Sequence, residues 1–474
     1  MFTASGKGLN LSASRRIARQ GGTMLLFTLA IGFVMAMIDV TAVNTALSDI
    51  ATDLGVPLEG LVWVVDAYTL TFAALLLAGG ALADRYGAKR AYQGGLAVFV
   101  LGSVLCALAP SGAALVAARL LQGTGAALFM PSSLALLTHA EDDPARRAKM
   151  FAGWAAIVSA AATVGPVAGG VLVEAFGWRS IFWLNLPLGL LGIALAQAKA
   201  PAPAPHARTL GMLSHGLGAG ALAALAFVLI EGPVLGWVSV PVLGALASAV
   251  LLAVLLVQRE RGAAQPILPR ALYGIAPFRA AVLTGMLINV GTFGHMFVVS
   301  LWMQDAHGSG ALGTGLAILP MTAGAGIGNV LSGRAVARHG TRLPLLTGMA
   351  GGAVGALLLA QATAGTPPWL VIAGGTMMFL AVGYAIPAMT STVMGAGGKE
   401  HASAAGAALN ACRQIGALLG VAVAGTILHA VPDWGTRLAI VYGAIAAAYA
   451  LACLAIHRNV QASATARLAA GAAE

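Results

Sequence analysis

Two acidic residues lie inside long apolar stretches of the chain. Asp39 belongs to the string IDVTAVNTAL of the first stretch, and Asp66 lies in the next one. An ionised carboxylate near the middle of a bilayer costs about 2.5–3.5 kcal/mol on insertion scales, so such residues usually face a protein interior or a water-filled cavity. The two carboxyl groups therefore indicate a route for a proton or another cation.

A basic residue, Arg119, lies inside a third apolar stretch. With a helix rise of about 1.5 Å per residue, Asp39 is roughly 25 Å from the start of its stretch, and Asp66 and Arg119 are about 10 Å below the outer ends of theirs. A carboxylate near a guanidinium can exchange its ion pair for a proton, which couples protonation to a conformational change. Two simpler interpretations stay open: Arg119 only neutralises a buried acid, and Asp66 is a partly hydrated residue of an outer vestibule.

The second half of the chain has polar residues in its apolar stretches but no carboxylate there. Asn289, Thr292 and Met296 recur near helical spacing, with His295 beside them. This pattern fits an adaptable drug pocket and fits ordinary helix packing equally well. Arg413 lies about 15 Å inside its stretch, where it has either an anionic partner or a structural role.

The composition is that of a polytopic membrane protein. Hydrophobic residues make up 59% of the 474 residues, charged residues make up 9%, and the mean hydropathy is +0.88. No soluble domain of this length needs so much apolar material to fill its core. The three cysteines are dispersed, and no Walker loop, HExxH or GxSxG string in a suitable setting is present, so we expect no enzyme activity, no metal and no cofactor.

Apolar runs of about twenty residues, bounded by charges, Pro or Gly clusters, predict fourteen membrane spans. We number them in chain order: 23–44, 60–82, 92–109, 113–137, 150–173, 181–198, 211–231, 238–257, 278–303, 312–333, 343–361, 368–391, 403–428 and 436–457.

The distribution of positive charge predicts the orientation of these spans. Of the 26 Lys and Arg residues, Arg119 and Arg413 fall within spans and Arg179 and Arg437 fall in loops of one side, so the other 22 lie on the opposite side. Because cytoplasmic loops carry the excess of Lys and Arg, that side is the cytoplasm and holds both termini. The net charge of +10 thus reports membrane topology, and nucleic-acid binding is not needed to explain it.

The loop after span 2 is the most specific string in the chain. It reads GALADRYGAKR, in which Gly80 and Gly87 allow tight turns, Asp84 can cap or pair across the helix ends, and the cationic residues anchor the loop at the membrane face. Those cationic residues are Arg85, Lys89 and Arg90. The string resembles the signature loop G-x-L-A-D-R-x-G-x-K-R of the major facilitator superfamily at every defining position.

Further strings resemble motifs of the fourteen-span drug/proton antiporter branch of that superfamily. The string RLLQGTGAAL, which begins at Arg119, is similar to its arginine motif, and WRSIFWLNLPLG is similar to W-R-x-x-F-x-x-N-x-P. IDVTAVNTAL, with Asn44, resembles the span 1 motif but has Ser48 where Pro is usual. LNACRQIGALLGVAVAGTIL, with Asn410 and Arg413, resembles the penultimate span. In span 5, AATVGPVAGG resembles the antiporter motif at Gly165, Pro166, Gly169 and Gly170, although Ala161 replaces a usual Gly.

The resemblance covers nearly the whole chain and implies an all-α membrane protein with the major facilitator fold. Its two six-helix bundles would be joined by an inserted helix pair. The corresponding division is a cytoplasmic segment 1–22, a bundle 23–198, a linker 199–262 with two extra spans, a bundle 263–457 and a cytoplasmic tail 458–474. GRAVARHGTR repeats the signature loop in the second half, with Ala337 at the Asp position.

The implied function is proton-coupled export of small amphipathic or cationic drugs, antibiotics or biocides by alternating access in the cell inner membrane. Protons, the small-molecule substrate and the bilayer are the expected partners, and an envelope adaptor protein is a candidate one for a protein that is otherwise monomeric. The resemblance assigns coupling to the acids of spans 1 and 2. Export of an endogenous metabolite, import by symport, and a membrane-embedded enzyme or sensor remain as alternatives.

Overall fold

The computed structural model describes residues 6–139, 144–200, 211–263, 266 and 268–460. The regular structure of these residues is helical, without a strand. Fourteen of their helical segments are long and apolar enough to cross a membrane, which confirms the predicted fold class and number of spans: Met24–Thr45, Leu58–Tyr86, Ala88–Ala107, Gly112–Thr138, Ala156–Phe176, Arg179–Lys199, Met212–Leu235, Val240–Gly262, Ala276–Ala306, Ala311–His339, Arg342–Leu359, Pro368–Gly397, Ala404–Ala430 and Trp434–Asn459.

The helices extend beyond most of the predicted apolar runs. Span 10, for example, is predicted to end at residue 333 but continues to His339, where Gly340 takes a positive φ of 73°. An apolar run marks the part of a helix that lies in hydrocarbon, whereas the helix itself continues until a turn residue stops it. Short helices Leu47–Leu54 and Arg270–Tyr273 lie outside the spans, and span 9 ends in a π-helical turn, Trp302–Ala306.

The loop between spans 2 and 3 is one residue long. The helix of span 2 ends at Tyr86, Gly87 has a φ of 94°, and the next helix begins at Ala88. A positive φ is accessible to Gly at no steric cost, so Gly87 makes this turn possible. The expectation that Gly80 also forms a turn is wrong, because Gly80 lies within the helix Leu58–Tyr86.

Spans 12 and 13 form a hairpin although helical hydrogen bonding is continuous from Pro368 to Ala430. Met394 packs against Gly406, twelve residues further along the chain. A straight helix would hold these two residues about 18 Å apart, so the chain reverses between them.

Backbone contacts at small residues hold neighbouring spans together. A Cβ on Gly79 of span 2 would lie 2.0 Å from the carbonyl oxygen of Ala127 in span 4, and a Cβ on Gly125 would lie 2.4 Å from the amide nitrogen of Phe99 in span 3. Such contacts are the usual way for helices to associate where lipid supplies no hydrophobic force between them.

Of the inserted pair, span 7 packs against one span of each bundle, and span 8 packs against span 7. The indole nitrogen of Trp63 in span 2 donates to Glu231 at 2.7 Å, and the hydroxyl of Thr426 in span 13 donates to the carbonyl oxygen of Leu229 at 2.7 Å. Span 7 therefore lies beside the junction of the two bundles, where it contacts both.

We call the end of the protein that carries the turn at Gly87, with Arg85, Lys89 and Arg90 around it, the basic end, and the other the opposite end. The two bundles touch towards the opposite end. Gly315 of span 10 lies against the backbone of Pro166 in span 5, and Gly425 of span 13 lies against Val62 in span 2. At the tip of this end, the backbone amide of Ser48 donates to the side chain of Gln304 at 3.1 Å.

Candidate functional site

A buried ion pair lies at the centre of the first bundle. Arg119 of span 4 donates through Nη1 to Oδ2 of Asp39 in span 1, and both side chains are fully buried. An intramembrane charge is tolerated when it is paired and its remaining polar atoms are hydrogen-bonded. The structure thus joins the acid and the base that the sequence places in two separate spans.

Three polar side chains complete this cluster. Gln122 Nε2 donates to Asp39 Oδ1 at 2.7 Å, and Asn185 Nδ2 donates to the same oxygen at 3.0 Å. Ser103 Oγ accepts from both amides, at 2.8 and 3.1 Å. We call Asp39, Ser103, Arg119, Gln122 and Asn185 the Asp39 cluster; its members come from spans 1, 3, 4 and 6.

Arg119 also links the cluster to span 2. Its Nε donates to the carbonyl oxygen of Val64 at 3.0 Å, and its guanidinium lies over the ring of Tyr68, 4.7 Å from the centroid. The carbonyl and the aromatic face both stabilise a cation. A change in the charge of Asp39 would therefore alter the contacts between Arg119 and span 2.

Every hydrogen bond that the structure gives to Asp39 has the carboxylate as acceptor. This arrangement suits the ionised form, because a protonated acid would need an acceptor for its own hydrogen. Protonation of Asp39 would cancel the charge that balances Arg119 and would leave the guanidinium in a dry interior without an anion. The charge of Asp39 is therefore linked by these contacts to four spans, 1, 2, 4 and 6.

Asp66 has a different environment. It is fully buried, and neither of its carboxyl oxygens has a hydrogen-bond partner. It shares a helix face with Val62, one turn away, which packs against Gly425 of the second bundle. The interpretation of Asp66 as a hydrated vestibule residue is therefore wrong, because the packing of the two bundles removes it from water.

The antiporter motif of span 5 lies between span 1 and span 10. A Cβ on Gly165 would lie 2.1 Å from the Thr41 hydroxyl, and one on Gly169 would lie 2.4 Å from Cβ of Ala42. On Gly170 it would lie 2.7 Å from the carbonyl oxygen of Ala311, in the other bundle. Only residues without a side chain allow span 5 to contact both helices this closely.

The signature string forms a hydrogen bond to span 6 of its own bundle. Lys89 Nζ donates to the carbonyl oxygen of Gln197 at 2.9 Å, while Arg85 and Arg90 are exposed at the basic end. Asp84 lies in the last turn of the preceding helix.

At the opposite end, the first two residues of the string WRSIFWLNLPLG, Trp178 and Arg179, form hydrogen bonds to the segment that follows span 1. Arg179 Nη1 donates to Asp53 at 2.5 Å, and Trp178 Nε1 donates to the same oxygen at 3.1 Å. These hydrogen bonds, that from Arg179 first, lower the pKa of Asp53 below its ordinary value. The Asn of the same string is Asn185, so one motif serves both the surface and the Asp39 cluster.

The remaining pocket candidates do not form one site. Asn44 is buried in the first bundle and donates to the carbonyl oxygen of Val40 at 2.9 Å. His295 is buried in the second bundle, where its ring nitrogens lie 2.9 Å from the Tyr442 hydroxyl and 3.1 Å from the Met321 sulfur. His295 is therefore held among packed side chains.

Three other candidates meet where spans 9 and 13 face each other. Arg413 Nε donates to Asn289 Oδ1 at 3.5 Å, and Asn410 lies one turn from Arg413 on the same helix. Thr292 is half-buried beside the Tyr449 hydroxyl, and Met296 is buried.

Sequence reasoning missed three members of the Asp39 cluster. Gln122 follows Arg119 by three residues and so lies on the same helix face, which could have identified it. Asn185 stands at the Asn of the span 6 string and could have been found there. Ser103 carries no local signal, since a Ser inside an apolar helix is common.

Comparison with known proteins agrees with this architecture. A model of the Major Facilitator Superfamily matches residues 29–421. The chain is 45% identical to the Methylenomycin A resistance protein of Bacillus subtilis over 92% of this chain and 94% of that protein. It is 35% identical to the Multidrug resistance protein Stp of Mycobacterium tuberculosis over 86% and 76% of the two chains. It is 31% identical to the Tetracenomycin C resistance and export protein of Streptomyces glaucescens over 85% and 75%.

Two helical bundles around buried charged residues define a polytopic membrane transporter. The chain belongs to the major facilitator superfamily. The resemblance read from the motifs is confirmed, and the relatives above are named as resistance, multidrug resistance and export proteins.

Proposed function

We propose that this protein exports a small amphipathic antibiotic or related compound in exchange for protons. The names of its relatives support export of a toxic compound. The observation that carries proton coupling is the Asp39 cluster, in which a buried carboxylate is balanced by a single guanidinium.

Coupling follows from two alternative charge states of the cluster. With Asp39 ionised, the pair with Arg119 is satisfied and spans 1 and 4 are held together. With Asp39 protonated, Arg119 loses its anion and keeps neutral partners, which are Gln122, the carbonyl oxygen of Val64 and the rings of Tyr68 and Phe182. The difference in free energy between the two helix arrangements then depends on whether Asp39 is protonated. This dependence is what allows a proton gradient to drive transport.

Asp66 gives the cycle a second point of control. An unpartnered carboxyl group in a dry interface is stable only when neutral, because the ionised form would lack both water and hydrogen bonds. Closure of the opposite end around Asp66 therefore requires the neutral acid. When the opposite end opens, water from the exterior reaches Asp66, which can ionise there and must take up a proton from outside before that end closes again.

The contacts between the bundles support alternating access. They lie towards the opposite end, which the positive-inside rule places outside the cell, and this arrangement is closed to the exterior. A compound from the cytoplasm would enter from the basic end, and the exchange of these contacts for contacts at the basic end would release it outside.

Proteoliposomes test the proposal. Purified protein is reconstituted with a fluorescent amphipathic substrate inside and an imposed pH gradient, and both substrate and proton fluxes are followed. We expect substrate to leave the vesicles while protons enter them. Collapse of the pH gradient by an ionophore should stop uphill export. Substrate and protons that move in the same direction would indicate a symporter, and substrate consumption without transport would indicate an enzyme.

A further inference from the structure

The two arginines inside spans have unequal environments. Arg119 has a carboxylate, a glutamine, a backbone carbonyl and an aromatic face as partners. Arg413 has a single hydrogen bond of 3.5 Å to Asn289, and within the part of the chain that the structure describes no carboxylate pairs with it. Its position is about 14 Å along the helix from Ala404, so its charge lies inside the membrane.

The sequence places no acid in the middle of a span of the second bundle. Between residues 276 and 459 the acids are Asp305, Glu400 and Asp433, and all three lie at span ends or between spans. In the first bundle, Asp39 is already balanced by Arg119. With Asp66 neutral, the interior therefore carries one uncompensated positive charge, at Arg413.

The direction of Arg413 follows from the helix contacts of span 13. Gly420 of that span lies against the backbone of Val290 in span 9, and Gly425 lies against Val62 in the other bundle. At about 100° per residue, Asn410 lies in the sector between these two contacts, and Arg413 lies at its edge, within about 20° of Gly420 and beside Gly285 of span 9. Asn410 therefore faces the space between the bundles, and Arg413 borders that space from the side of span 9.

Exposure along this sector changes with depth. Towards the opposite end it is closed, because the residues there are fully buried: Ala417, Val421, Ala424 and Leu428. Towards the basic end, Asn410 and Arg413 are partly exposed. The sector thus opens where the bundles part, and Arg413, which is intermediate in exposure as a residue, lies where that opening ends.

We propose that Arg413, with Asn289 and Asn410 beside it, binds the anionic group of the transported compound, so that the substrate class is a small amphipathic carboxylate. This inference rests on the proposed export function. A guanidinium offers two parallel N–H donors to a carboxylate, and the two amides supply further donors. A cationic drug at the same place would be repelled, and its charge would find no free carboxylate in the second bundle.

Three probes of one shape and different charge test the substrate class: 1-naphthoate, its methyl ester and N,N,N-trimethyl-1-naphthylammonium. Binding to the full-length protein in phosphatidylcholine nanodiscs is measured by calorimetry. We expect naphthoate to bind at least about tenfold more tightly than the ester or the cation, the factor that one charge-assisted hydrogen bond provides. Tighter binding of the cation, or no binding of naphthoate, overturns the proposal.

Substitutions assign the preference to one side chain. Arg413→Gln should remove the tenfold preference for naphthoate and leave the affinity for the ester unchanged, whereas Arg413→Lys should keep part of it. Arg458→Gln, at the exposed end of span 14, is the matched control and should behave as wild type. Unchanged naphthoate affinity in a monodisperse Arg413→Gln protein contradicts the assignment.

Two further arms separate other causes. If phosphatidylglycerol added to the nanodiscs abolishes the preference for naphthoate, Arg413 binds the lipid phosphate instead of the carboxylate and the substrate assignment falls. Transport of the same probes in proteoliposomes tests the export function independently. If the bound probe is transported at the same rate with and without a pH gradient, proton coupling is refuted, while the measured binding preference is unaffected.

Discussion

At the residue scale, Asp39 and Asp66 show how one side-chain type serves two roles. Asp39 accepts hydrogen bonds from an arginine and two amides, whereas Asp66 is equally buried and has no partner. The first environment stabilises a charge and the second excludes it. The proposed proton-coupled cycle accordingly assigns different protonation states to the two acids in one conformation.

Asp39→Asn should uncouple transport. The amide has nearly the volume of the protonated acid and cannot release a proton, so the cluster should stay in one charge state. We expect uphill, proton-driven export to be lost while exchange of substrate down its own gradient continues. The measurement is flux in proteoliposomes with and without an imposed pH gradient, after checks of insertion and dispersity. Full uphill transport would show that another group, with Asp66 or His295 next in order, carries the coupling proton.

Thermal unfolding should separate the two acids. Asp39→Asn leaves Arg119 as a buried charge without an anion, which typically costs about 3–5 kcal/mol. Asp66→Asn replaces a neutral, unpartnered group by another and should change the thermal midpoint little at neutral pH. The double variant Asp39→Asn/Arg119→Gln removes both charges and should regain stability. Equal midpoints for the two single variants, measured in one detergent, would contradict the different charge states.

At the scale of the helices, glycines decide how closely spans approach. The motif of span 5 brings Gly165 and Gly169 against span 1 and Gly170 against Ala311 of span 10. The sequence identifies this motif by resemblance, and the structure shows that its last glycine forms part of the contact between the bundles. Span 5 therefore needs a residue as small as Gly170 where it meets the other bundle at the opposite end.

Gly170→Ala should slow transport by disfavouring closure of the opposite end. The added methyl group would lie 2.7 Å from a backbone oxygen of the other bundle, and overpacking of this kind costs about 1–3 kcal/mol. We expect about a tenfold loss in export rate, since 1.4 kcal/mol corresponds to that factor. Gly443→Ala in span 14, where a Cβ would meet no atom within 4 Å, is the matched control. Equal rates for both variants would remove the steric role.

At the scale of the whole molecule, two bundles and an inserted pair must be oriented in the membrane. Span 7 contacts span 2 through Glu231 and Trp63 and contacts span 13 through Leu229 and Thr426, and span 8 packs against span 7. We expect the pair to cross the membrane twice, which would leave the orientation of the second bundle unchanged. The proposed division into bundles 23–198 and 263–457 with a linker 199–262 rests on this arrangement.

Reporter fusions test the orientation. Fusions after Ala200 and after Gly262 should both report the cytoplasm, because the charge distribution places 22 of the 26 Lys and Arg residues on that side. A fusion in the short segment after Leu235, between spans 7 and 8, should report the exterior. An external signal after Gly262 would exclude the fourteen-span orientation.

The sequence by itself determined the number of spans, the signature loop and the superfamily. Each of these depends on residues adjacent in the chain: an apolar run long enough for the bilayer, or a turn whose φ only Gly87 adopts easily. Span ends were less predictable, because a helix such as span 10 continues past its apolar run until Gly340 stops it.

Only the tertiary structure decided the partners of the charged residues. Asp39 meets Arg119, Gln122 and Asn185, which lie 80, 83 and 146 residues further along the chain. Each residue of register turns a helix face by about 100°, and no local pattern states how helices are rotated against one another. For the same reason, packing alone removed Asp66 from water and left Arg413 bordering the space between the bundles.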